Sequence, residues 1–259
     1  MSQTFLITGA SSGIGYELAK VCGRDGHNLV LVARREEPLK ALKTELESAH
    51  GIQVWTYRAD LAQADVRQQL FDWTQAEGIT VDGLVNNAGF GDYGPFIETD
   101  WAKQEQMILL NVMALTHLTR LFLPAMVARR QGKILNVAST AAFQPGPLMA
   151  VYYATKAYVL SFTSAIASEL QGTGVTATTL CPGPTASEFQ EHSGMGQSKL
   201  VQGRKMPTAA EVAELGYQAM QRGEWVVVQG LTNRALTLAT RLLPRKLLTN
   251  TVRQMQSPA

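Results

Sequence analysis

Short, almost continuous apolar runs separated by longer amphipathic segments constrain this chain more than any other feature. The runs lie at residues 4–8, 28–33, 53–58, 83–86, 133–138, 175–181 and 225–229. Val, Leu and Ile fill most of them without the polar alternation of a half-solvated strand, so both faces of each strand are expected to be covered. Between them, residues 13–24, 36–49, 64–77, 101–129, 151–171 and 208–222 carry apolar residues at helical spacing. Such alternation builds right-handed βαβ units. The expected fold is α/β: a doubly wound parallel sheet of about seven strands, a Rossmann fold with helices on both faces.

No internal repeat or Pro/Ser-rich linker divides the 259 residues. Residues 1–230 read as a single domain, with residues 187–206 as a loop region and 231–259 as a helical extension of the same domain. Residues 194–203 are polar and glycine-bearing and read as a mobile loop. With 23 basic and 21 acidic side chains, the charge balance argues against a nucleic-acid partner. Cys22 and Cys181 are isolated, and the four histidines have no ligand spacing, so neither a disulfide nor a metal is expected. The N-terminus shows no leader pattern, and no apolar run approaches the ~18 residues of a membrane span. A cytoplasmic protein without a transmembrane segment is the expectation.

The first strand runs directly into Thr8-Gly9-Ala10-Ser11-Ser12-Gly13-Ile14-Gly15, which opens a helix. Small residues let the backbone approach a pyrophosphate, and the helix N-terminus offers free N–H groups to it. No Gly-Lys-Ser/Thr follows, so this is not a nucleoside-triphosphate loop. The second strand ends Val32-Ala33-Arg34-Arg35, where NAD-specific sites place a carboxylate for the ribose hydroxyls. Guanidinium groups suit a 2′-phosphate instead, so NADP(H) is favoured over NAD(H), with Arg34 as its first ligand.

Tyr152 and Lys156 are four residues apart and share one face of a helix, with Ser139 upstream at a strand end. An ammonium lowers the pKa of a nearby phenol and brings it within reach of proton transfer, and a serine hydroxyl beside them can hold a substrate oxygen. The spacing alone decides nothing, because Tyr16 and Lys20 repeat it in the first helix. That copy lacks an upstream serine strand and reads as a solvated or packing pair.

Together, the glycine motif, Asn86-Asn87-Ala88-Gly89, Asn111, Ser139, Tyr152-x-x-x-Lys156 and Pro182-Gly183 resemble the short-chain dehydrogenase/reductase superfamily in its short, single-domain branch. The order and separations agree from Thr4 to about Gln229. The resemblance implies that Tyr152 donates the proton in reduction, that Lys156 lowers its pKa and holds the nicotinamide ribose, and that Ser139 orients the substrate carbonyl. It implies that Asn111 positions a relay water. Gly9, Ser11, Ser12, Gly13, Ile14 and Gly15 would hold the pyrophosphate, and Arg34 and Arg35 the 2′-phosphate. Asp60 and Leu61 would meet the adenine, and Asn87, Ala88 and Gly89 the adenosine ribose. Pro182 and Gly183 would lie near the nicotinamide, with Ser187 standing where relatives carry a carboxamide-binding threonine. Asn86 reads as a tie between strands.

The implied activity is hydride transfer between nicotinamide and a carbonyl or secondary alcohol, with an apolar or lipid-like ketone as the expected substrate. The alternative is a noncatalytic NADP(H)-binding sensor or scaffold, which has no need of Asn111, Ser139, Tyr152 and Lys156 together. Family analogy implies a homodimer or homotetramer. Residues 231–259 carry five basic side chains and no acid among Leu and Ala, with Pro244 expected to divide them into two helices. Cover for the substrate pocket or an oligomer contact is preferred for them over peripheral membrane contact.

Overall fold

A computed structural model describes residues 2–186, 188–199, 206–240 and 242–257. Seven parallel strands, β1 (Thr4–Thr8), β2 (Asn28–Ala33), β3 (Val54–Arg58), β4 (Gly83–Asn86), β5 (Gly132–Val137), β6 (Val175–Cys181) and β7 (Val226–Val228), form one sheet. Their order is β3-β2-β1-β4-β5-β6-β7. The chain moves outward from β1 in one direction, returns, and then moves outward in the other. β1 and β4 therefore flank the point where open α/β sheets leave a crevice beyond their carboxyl ends.

Alternating side chains of the strands feed two apolar layers. Phe5, Ile7, Leu29 and Leu31 pack on one face against α1 (Gly13–Arg24), α2 (Glu36–His50) and α8 (Ala209–Arg222), through Leu18, Leu42 and Met220. Leu6, Val30, Val32 and Leu84 pack on the other against α3 (Ala64–Ala76), α5 (Leu115–Arg129) and α6 (Ala150–Glu169), through Leu70, Phe122 and Ile166. This double coverage is what the apolar runs require. Inside the sheet, Asn86 donates to Asn136 Oδ1 at 2.9 Å and to Thr119 Oγ1 at 3.1 Å, which ties β4 to β5.

Two local expectations change. The helix expected over residues 101–129 is α4 (Trp101–Ile108), a π-helical turn (Leu109–Ala114) and α5 in succession. This segment is long and apolar enough to cross a membrane by length and composition, although no such run was expected. In the fold it is a sheet-covering helix, and Leu115, Leu118, Phe122 and Met126 are buried. Of the stretch read as a mobile loop, the described residues follow α7 (Phe189–Ser193), with Met195 and Ser198 buried and Gly194, Gly196 and Lys199 exposed. The extension does divide at Pro244, into α9 (Leu231–Ala239) and α10 (Arg245–Gln256).

Candidate active site

A continuous cleft of about 760 Å³ runs along the carboxyl edge of the sheet. One end is lined by Gly9, Ser11, Ser12, Gly13, Ile14, Arg34, Arg35, Asp60 and Leu61, and the middle by Asn87, Ala88 and Gly89. Ser139, Tyr152, Lys156, Pro182 and Gly183 line the other end. Gly15 and Asn111 stand behind these walls, and Ser187 lies outside the described residues.

The glycine loop is folded tightly on itself. A Cβ at Gly15 would lie 2.4 Å from the Gly9 carbonyl oxygen, so only glycine permits the approach. Asn87 props the loop from below, its amide donating to the Thr8 and Gly9 carbonyls at 2.9 and 3.2 Å. Its Nδ2 is therefore engaged by the loop, while the residue still lines the cleft. Thr8 was not singled out from sequence, yet its hydroxyl accepts from the amides of Asn87 and Ala88, both at 3.0 Å. The first turn of α1 contains no acid and opens toward the cleft with its N–H groups. An anionic pyrophosphate fits this cradle.

The two arginines at the end of β2 behave differently. Arg35 forms an ion pair with Glu188 at 2.9 Å and contacts Ser11, bridging the glycine loop to the region before α7. Arg34 is exposed, lines the cleft and has no ion pair among the described residues.

At the opposite end, Ser139 follows β5 and caps a short 3-10 turn, its Oγ accepting from the Ala141 amide at 3.1 Å. Tyr152 and Lys156 project from the first two turns of α6, both buried. Lys156 Nζ donates to the Val137 carbonyl at 2.8 Å and stands 5.8 Å from the centre of the Tyr152 ring. Burial pushes the Tyr152 phenol up to about 12, while the Ser139 hydroxyl beside it pulls the other way. Burial also lowers the Lys156 ammonium to about 8, partly offset by Cys181. In the protein alone, burial is the larger influence on the phenol and Ser139 supplies the opposing one.

Asn111 sits in the π-helical turn, fully buried. Its Nδ2 donates to the Phe90 carbonyl at 3.0 Å and to Thr155 Oγ1 at 3.1 Å, and its Oδ1 accepts from the Phe90 amide at 3.2 Å. The side chain thereby clamps the backbone beyond β4 to α6. Gly89 makes room for it, since a Cβ there would lie 2.9 Å from Asn111 Oδ1 and 3.5 Å from Lys156 Nζ. Thr155 had no signal in sequence except its place inside the Tyr-Lys motif. Thr185 also lines the cleft and is buried, two residues before the position expected to supply a hydroxyl.

A parallel sheet with a glycine cradle at its switch point and a Tyr–Lys–Ser cluster across the cleft defines a nicotinamide-dependent oxidoreductase. The profile of the short chain dehydrogenase family matches residues 3–197, and the chain belongs to that family. It is similar to a very-long-chain 3-oxoacyl-CoA reductase of Pyrenophora tritici-repentis, with 39% identity over 66% of this chain and 51% of the relative. A solved short-chain dehydrogenase from Sphingobium yanoikuyae in complex with NADPH is similar over 98% of both chains, with 32% identity and a TM-score of 0.83. A 7β-hydroxysteroid dehydrogenase structure is similar over 98% of this chain and 97% of its own, with 26% identity and a TM-score of 0.86. The chain spans about half to three fifths of the length of the curated relatives it matches.

Proposed function

We propose that this chain is an NADP(H)-preferring reductase of bulky, apolar carbonyl compounds, with Tyr152 as proton donor. The observation that carries the reading is one continuous cleft joining Arg34, which has no ion pair among the described residues, to Tyr152, Ser139 and Lys156 at the other end. When bound, the nicotinamide supplies the hydride. The glycine cradle holds the pyrophosphate, and Arg34 meets the 2′-phosphate through charge and fork geometry. The Ser139 hydroxyl orients the substrate oxygen, and Tyr152 delivers its proton to that oxygen as negative charge develops. With its phenol pushed up to about 12, Tyr152 holds its proton at neutral pH and has it available to donate. Lys156 stands close enough to stabilise the phenolate that remains. Asn111 acts through position, holding Phe90 against α6 beside the reacting groups.

Apolar chemistry of the substrate is supported by the walls around Tyr152, where Phe90, Met149, Phe189 and Met195 come together. Flexible methionines suit a large, irregular ligand. The very-long-chain 3-oxoacyl-CoA and 7β-hydroxysteroid names of relatives point the same way. Exposed Ile108, Met113 and Tyr158 on the α4–α6 side fit a homodimer or homotetramer. A panel of ketones, 3-oxoacyl thioesters and steroids assayed with NADPH and NADH tests the reading. Oxidation of NADPH with at least one bulky ketone is expected, and equal use of NADH would remove the cofactor preference.

A further inference from the structure

α10 packs behind the substrate side of the cleft. α10 turns Leu248, Val252 and Gln256 inward, all buried. The two apolar side chains join Met107, Met149, Tyr152 and Tyr153 in one cluster. The opposite face leaves Arg245, Lys246, Leu247 and Arg253 exposed.

Gln256 fastens this arrangement. Its amide nitrogen donates to the Tyr153 hydroxyl, and its backbone carbonyl accepts from the Tyr93 hydroxyl. Next to it, the Lys199 amide donates to the Ser257 carbonyl at 3.2 Å, so the stretch after α7 is tied to the same tail. One residue therefore links the segment after β4, the start of α6 and the end of the chain. Tyr153 lines the cleft, and its ring meets that of Tyr152 edge-on, with centroids 6.1 Å apart. Where Tyr153 stands decides the space beside the proton donor.

The chemistry of Gln256 argues for a directed role. Its Oε1 is buried with no hydrogen-bond partner among the described residues, a desolvation cost that a leucine of similar bulk avoids. Packing alone has no use for an amide here, whereas a bond to Tyr153 does.

We propose that Gln256 is a positioning residue for substrate choice. By tying Tyr153 to the C-terminal helix, it fixes the depth of the substrate end of the cleft and sets the upper size of the carbonyl compound admitted. The proposal rests on the reading of the cleft as that of a carbonyl reductase.

The test compares the full-length wild type with Gln256→Leu, Tyr153→Phe and the double variant, using NADPH with cyclohexanone and with the fused-ring ketone 1-decalone. Gln256→Leu keeps the bulk and removes the tie. It is expected to raise the kcat/KM ratio of decalone over cyclohexanone about tenfold. The gain should be carried by a lower KM for decalone, with the Kd for NADPH unchanged. Tyr153→Phe removes the same bond, so the double variant is expected to show no further gain. An equal change for both ketones, or additive effects of the two substitutions, overturns the proposal. Hydrogen exchange provides a readout independent of turnover. Amides of α10 should exchange faster in Gln256→Leu than in wild type, and unchanged exchange contradicts the clasp. A wild type that reduces neither ketone would instead defeat the functional reading, with the exchange result still judging the clasp.

Discussion

The molecule contains the same tyrosine–lysine spacing twice, and the two copies behave in opposite ways. Tyr16 and Lys20 sit on α1, where both reach the same carboxylate, that of Glu45 on α2, each at 3.0 Å. Tyr152 and Lys156 sit on α6, buried, with no carboxylate between them and a serine, a carbonyl and the cleft as neighbours. At the first pair, Glu45 holds Lys20 above the ordinary ammonium range. At the second, burial pulls Lys156 down to about 8. Spacing places two side chains on one face of a helix; whether that face looks at water and an acid or into a desolvated cleft decides the chemistry.

Lysine replacement breaks the comparison hardest. Lys156→Ala is expected to cost about 10²–10⁴-fold in kcat/KM for ketone reduction, while Lys20→Ala leaves it within about twofold. The next effect lies at the far end of the cleft, where Arg34→Ala is expected to weaken NADPH about 10–100-fold by removing a charge-assisted contact. NADH binding should change little, and an unchanged NADPH affinity in calorimetric titration would sink the assignment.

Titration sharpens the comparison further. Lys156 loses its charge as pH rises through about 8, so kcat/KM for reduction should fall above that pH. Stability should move the other way. The native pKa lies below the ordinary value of 10.5, so between about 8 and 10.5 the unfolded chain binds more protons than the folded one. The contribution of Lys156 to unfolding free energy therefore rises with pH across that window. Denaturation of wild type and Lys156→Met at pH 7.5 and 10 reads this, and equal pH slopes would refute the burial argument. The smallest effect belongs to the exposed pair. Glu45→Gln should lower stability by about 0.2–1 kcal/mol, with no effect on turnover.

Apolar runs made the sheet legible in advance, because a strand covered on both faces must be written in Val, Leu and Ile whatever its neighbours. The glycine loop was equally legible: backbone approach demands glycine at fixed offsets within a few residues. What was not legible depends on partners far away in sequence. Nothing near Asn111 announces that its amide will hold Phe90, 21 residues earlier, or Thr155, 44 residues later. The Gln256–Tyr153 contact spans 103 residues, and no motif in the sequence pairs the two positions. The burial of Tyr152 was hidden for a related reason. The neighbouring ammonium was visible in the sequence, whereas burial is a property of the packed site.

Paired tyrosine substitutions bear most directly on the central claim. Tyr152→Phe and Tyr16→Phe each remove one hydroxyl from a Tyr-x-x-x-Lys motif and leave the ring in place. Ketone reduction with NADPH should fall at least about 10³-fold in Tyr152→Phe and stay within about twofold of wild type in Tyr16→Phe, with NADPH binding intact in both. Turnover retained by Tyr152→Phe would contradict the account.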